Sequence, residues 1–146
     1  MPFQLITDNI FIDMTNEEYD AERVALIVEL RQLNIKYTPE AIISIARKND
    51  GKIVFLEVGK PGKRGSGLAH IVEKHREDFS RRGISEDEIP EVIILALKEG
   101  TFLGYQGTVE PRRKIYELIF KGQKQYIAVS VGDNGYIVGA NPASLP

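Results

Sequence analysis

Lys114-Ile-Tyr-Glu-Leu-Ile-Phe120, Tyr126-Ile-Ala-Val-Ser-Val131 and Tyr136-Ile-Val-Gly-Ala140 are β-branched and aromatic runs whose reading decides the fold. Turn residues separate them: Gly122-Gln123 after the first and Asp133-Asn134-Gly135 after the second. Short apolar runs bounded by such residues predict antiparallel strands joined by hairpins. Phe102–Val109 adds a fourth strand ahead of them. Upstream the period becomes helical. Leu68, Ile71, Val72, His75 and Phe79 form one stripe of a helix over Leu68–Arg82 that Gly83 ends. Ser85-Glu-Asp-Glu88 is a capping box that opens a further helix over Ile89–Leu97, stopped at Gly100. Lys52–Val58 reads as a buried strand. Before it, Thr38-Pro39 predicts the start of a helix through Ala41, Ile42, Ile45 and Ala46 to Asn49-Asp50-Gly51. Thr15-Asn-Glu-Glu18 opens an earlier helix that runs to about Asn34, and Phe3–Thr7 reads as a short strand. The expected class is therefore α+β: N-terminal helices followed by a four-stranded antiparallel meander, with no alternating βαβ units.

A chain of 146 residues is long enough for one domain with a real core. The absence of cysteine excludes a disulfide scaffold, thiol catalysis and cysteine-ligated zinc. No apolar run nears the ~20 residues of a membrane-spanning helix, so no membrane partner is expected. The N-terminus lacks the basic-then-apolar order of a signal peptide, so the expected location is the cytoplasm, or wherever other machinery delivers the module. Charge is unevenly spread. Residues 1–34 hold seven acids against two arginines, and read as an acidic helical extension to a core over 38–142. Residues 60–82 hold seven bases and three acids, and 110–124 five bases and two acids. Two such stretches can form a phosphate-binding face, or only a solvated surface.

Both histidines lie in Gly59-Lys-Pro-Gly-Lys-Arg-Gly-Ser-Gly-Leu-Ala-His-Ile-Val-Glu-Lys-His75, a basic glycine loop that runs into the helix. His70-x-x-Glu73-x-His75 is not a zinc-protease signature. Those set histidines four residues apart, whereas five residues put the rings ~140° apart around a helix, so neither a metal nor another cofactor is expected. The loop matches no nucleotide-binding motif, yet Lys63, Arg64 and the helix-start amides would attract a phosphate. General acid–base cleavage of RNA needs a group to take the 2′-hydroxyl proton, one to protonate the leaving 5′-oxygen, and cations for the phosphorane. His70, His75, Lys74, Arg112, Arg113 and Lys114 are of the right types. His70 lies off the apolar stripe in the first helical turn, whereas His75 lies on it and is equally readable as a core residue.

The order of a strand ending Leu-Glu-Val-Gly59, a basic glycine loop, and Gly67-Leu-Ala-His-Ile-Val-Glu-Lys-His75 resembles the barnase–EndoU–colicin–RelE (BECR) superfamily of metal-independent ribonucleases. The tail closing on Asn134-Gly-Tyr-Ile-Val-Gly-Ala-Asn-Pro142 is similar to the same superfamily, in its phage- and polymorphic-toxin-associated branch. The resemblance covers residues 38–142. It implies a toxin-like hydrolase that cleaves RNA, with tRNA one candidate target, through a 2′,3′-cyclic phosphate. It also implies pairing with an immunity or antitoxin protein. By position it gives His70, His75, Arg112 and Ser130 as catalytic residues. Lys63, Arg64, Lys74, Arg113, Lys114 and Asn141 become substrate binders. One departure stands out. Where many members carry Thr or Ser in the last strand this chain has Gly139, so either Asn141 or Ser130 substitutes or the site is weakened. The alternative reading is a catalytically weak nucleic-acid- or protein-binding module on the same scaffold.

Overall fold

The structure, a computed structural model, describes residues 16–145, with side chains from Ala21 onward. The expected strand at Phe3–Thr7 and the capping residue Thr15 lie outside them. The chain divides into two compact units between Lys36 and Tyr37. The first contains α1 (Asn16–Gln32). Asn34 ends it at φ +60°, in the left-handed conformation, and the Ile35 N–H closes back on the Leu30 carbonyl. This is the 6→1 bond of a Schellman stop, with Asn in the place glycine usually takes.

The second unit runs, in order, through β1 (Ile42–Arg47), β2 (Ile53–Glu57), α2 (Gly67–Arg81), α3 (Ile89–Glu99), β3 (Thr101–Gln106), β4 (Arg113–Phe120), β5 (Gln123–Val131) and β6 (Ile137–Pro142). It is α+β, with β3-β4-β5-β6 forming a four-stranded antiparallel meander. One sequence expectation is overturned. The helix predicted from Thr38 is a single 3-10 turn at Pro39–Ala41, after which Ile42–Arg47 is a strand paired with β2. Three β-branched isoleucines at 42, 43 and 45 favour an extended chain. The Asn49-Asp50-Gly51 signal taken as a helix stop is the hairpin turn, with Gly51 at φ +88° and the Lys48 N–H bonded to the Lys52 carbonyl at 2.8 Å.

The meander's boundaries follow its turns. Lys121 and Gly122 both have positive φ (+51° and +81°), as a type I′ turn requires, and so pair Phe120 with Gln123. That starts β5 three residues before Tyr126. The helices cover one face of this sheet. Ile71 and Phe79 of α2, and Ile89, Val92, Ile93, Ala96 and Leu97 of α3, pack on Leu118, Phe120, Ile127, Val129, Ile137 and Ala140. Val54 and Leu56 of β2 join the same core, and Phe55 makes a parallel bridge to Tyr136 at the sheet's β6 edge. The capping box stands: the Ser85 N–H bonds Glu88 at 3.0 Å, ahead of α3. The sheet's opposite face carries only a small cluster of Ile115, Ala128 and Ala143 under Tyr126.

Candidate functional site

Strand alternation and register decide which candidate residues meet. Arg113 starts β4, and it shares the uncovered face with Ile115, two residues on. Ser130 and Asn141 reach that face from β5 and β6, where Ser130 pairs with Gly139 and Ala128 with Asn141. The Arg113 guanidinium donates to Asn141 Oδ1 at 2.6 Å, and the Ser130 hydroxyl donates to the Gly139 carbonyl at 3.3 Å. Burial pulls the guanidinium below the ordinary arginine value, and no carboxylate among the described residues pairs with it. It is a half-buried cation held by a neutral amide.

Gly139 is explained by this group. A Cβ at that position would stand 2.4 Å from Arg113 Nη2 and 3.1 Å from its Cζ. The guanidinium lies across the strand where a Thr or Ser side chain would be. The glycine therefore makes room for a cation.

A second group forms around the glycine loop. Lys60 and Ser66 exchange both backbone hydrogen bonds at 3.0 Å, and the Gly65 N–H bonds the Gly62 carbonyl at 2.9 Å, which closes a tight basic turn. Gly59 and Gly65 are required there, since a Cβ would stand 1.9 Å from the Ser66 carbonyl oxygen or 2.2 Å from that of Lys60. Lys63 and Arg64 project from the tip, both exposed. Two side chains of α2 hold the Gly62 peptide: Glu73 Oε1 accepts its N–H at 2.7 Å, and His70 Nδ1 meets its carbonyl at 3.1 Å. A carbonyl only accepts, so Nδ1 is the donor of this bond. Ser66, at the N-cap of α2, directs its hydroxyl to Tyr136 Oη at 2.9 Å and not to the helix amides.

Tyr136, which meets the Ser66 hydroxyl, directly precedes β6, so both groups lie toward the end where β5 stops and β6 starts. However, α2 packs on the covered face of the sheet and Arg113 lies on the uncovered one. Among the described residues no hydrogen bond joins His70 to Arg113. Other candidates point elsewhere. His75 is half-buried with Nδ1 at 2.9 Å from Asp78 Oδ2, and this bond holds the Asp78 carboxyl below its usual range. Lys74 is exposed on α2. Arg112 pairs with Glu110 at 2.6 Å and lies over the Tyr105 ring, its Cζ 4.3 Å from the centroid. Lys114, adjacent to Arg113, faces the other side of the sheet, over Phe102.

Sequence reasoning missed the part played by Glu73, although its i,i+3 spacing from His70 puts both on one helix face. It also missed Glu57, buried at the end of β2 with Oε2 accepting the Thr38 N–H at 2.8 Å. No group of three His, Asp or Glu side chains among the described residues is placed to hold a metal ion. None of the described helices is long and apolar enough to cross a membrane. Compared with known proteins, the chain matches no family model and no curated relative.

Proposed function

We propose that this protein is a metal-independent endoribonuclease that cleaves RNA through a 2′,3′-cyclic phosphate. The observation that carries the reading is Arg113: a half-buried cation with no carboxylate partner among the described residues, beside the Asn141 amide and the Ser130 hydroxyl. Desolvating a cation is costly unless an anion compensates, and a phosphodiester supplies that anion. His70, whose Nδ1 is engaged by the Gly62 carbonyl and whose Nε2 has no hydrogen bond among the described residues, is the general base for the 2′-hydroxyl. The 2′-oxygen attacks phosphorus, the bond to the 5′-oxygen breaks, and the five-coordinate charge falls to Arg113, with Lys63 and Arg64 as further phosphate-binding cations. His75, whose Nδ1 is held by Asp78, keeps Nε2 to serve as the partner acid that protonates the leaving 5′-oxygen. A toxin-like role with a cognate immunity protein accompanies this reading through the sequence resemblance.

A second reading, binding without cleavage, draws on the placement of Arg113 on the face that the helices leave uncovered, while α2, which carries His70, packs on the other. The deciding experiment incubates the protein with total tRNA in excess EDTA, next to His70→Ala. Fragments ending in cyclic phosphate are expected, with the variant slower by about 10²–10⁴-fold. Equal cleavage by His70→Ala refutes the assignment of the base. Intact RNA in both, with binding that weakens steeply as salt rises, supports the second reading.

A further inference from the structure

The face of the sheet opposite Arg113 carries a second arrangement that the chemistry above leaves unused. Register pairs Phe102 with Tyr116 and Tyr105 with Lys114, so these four side chains lie on one side of the β3–β4 ribbon. β3 is the outermost strand of the four. Tyr116 is half-buried against the core, and burial, with the nearby Asp50 and Tyr105, pushes its phenol up from the ordinary value. Phe102 and Tyr105 project beyond it, 47% and 42% exposed. Their rings meet edge to face, 5.3 Å between centroids at 73°, and Phe102 meets Tyr116 at 6.4 Å and 61°. Two cations are built into the cluster: Arg112, which also pairs with Glu110, over Tyr105, and Lys114 Nζ at 5.8 Å from the Phe102 centroid.

Exposed rings are costly in water unless something covers them. The occupant must have apolar flat faces and negative charge at short repeat, because cations alternate with the rings. Unpaired nucleobases on a phosphate backbone have both properties. A duplex does not, since its base faces are stacked away. We infer that Phe102 and Tyr105, with Arg112 and Lys114, form a stacking platform for the bases of single-stranded RNA. The choice of RNA rests on the nuclease reading above. Arg113, which starts β4, lies between Arg112 and Lys114 in the chain, so a strand crossing the β3 edge reaches the platform on one face and the half-buried guanidinium on the other. The substrate class is then RNA with at least two unpaired nucleotides beside the scissile bond.

The test separates platform from chemistry by using a probe that cannot be cut. A fluorescein-labelled 2′-O-methyl RNA ten-mer keeps bases and phosphates but has no 2′ proton to lose. Its binding is measured by anisotropy, single-stranded and annealed to its complement. The single strand is expected to bind more tightly than the duplex. Tyr105→Leu and Phe102→Leu are each expected to weaken it about five- to a hundredfold. Tyr105→Phe, which keeps the ring, retains the affinity, and so shows that loss in the Leu variant is not damage to the strand. Lys114→Met lowers the slope of log affinity against log salt by about 0.7. Equal affinity for duplex, unchanged affinity in both Leu variants, or no binding by the unaltered protein overturns the platform. Cleavage of ordinary RNA by the unaltered protein, with both Leu variants binding normally, rejects the platform and keeps the nuclease. Ring-dependent binding without any cleavage keeps the platform and rejects the nuclease.

Discussion

A single missing side chain shapes the candidate anion site. Gly139 matters because the Arg113 guanidinium occupies the volume of its absent Cβ. The atom in the way is the far end of a flexible arginine, so Gly139→Ala is expected to fold with an unfolding midpoint near the wild type. It displaces the guanidinium and should weaken binding of a 2′-O-methyl oligonucleotide as much as Arg113→Ala does. Unchanged affinity in Gly139→Ala would remove Arg113 from the anion site. Gly139→Thr, which adds a hydroxyl at this position, is expected to behave like the alanine variant and not as a gain. The sequence showed a glycine at position 139 but not its meaning, because the clash is with a residue 26 positions earlier in the chain.

At the scale of elements, local signals that close within a few residues were readable, and those settled by a distant partner were not. The stop of α2 at Gly83, the capping box before α3 and the hairpin turns of the meander each close within a few residues. The segment at 42–47 was misread because a run containing three isoleucines fits either period, and its pairing with β2 is what fixes it as a strand. One tertiary link adds a pH dependence. The Lys121 ammonium, at the β4–β5 turn, donates to the Glu88 carboxylate ahead of α3. This bond is the main reason that Glu88 sits below its ordinary value and Lys121 above its own, with the Ser85 amide also lowering Glu88. A lowered carboxyl stabilises the fold above its unfolded value and loses that contribution as pH falls through the folded one. A raised lysine stabilises below its unfolded value and loses it as pH rises through the folded one. Glu88→Gln keeps an acceptor for the cap but weakens the ion pair. Its deficit against wild type, followed by denaturant unfolding across pH, is expected to be largest at neutral pH and to vanish in acid. A deficit that persists in acid would show that the cap, and not the ion pair, is what was lost.

Across the whole second unit, stability rests on one core shared by both helices, β2 and the meander. Phe79 is fully buried in it. Phe79→Ala is expected to cost about 3–5 kcal/mol, a large share of a typical domain's stability. Guanidinium unfolding followed by far-ultraviolet circular dichroism checks this, with a single transition moved to lower denaturant as the expected result. A small shift would mean that α2 is held chiefly by the Gly62 clamp and the Ser66–Tyr136 bond.

The sequence by itself determined the α+β class, the four strands of the meander and the helix that bears His70. Alternation, capping residues and turn glycines act between near neighbours, so they can be read along the chain. Tertiary structure alone decided which candidates face one another. It brought Arg113, Ser130 and Asn141 to the uncovered side of the sheet, and sent Lys114 and the aromatic rings to the other. It turned His75 to Asp78 and fixed the His70 ring on Gly62. Those outcomes depend on strand register and on the fold of a nine-residue loop. A shift of one residue in either exchanges the faces, and no pattern within a single segment records it.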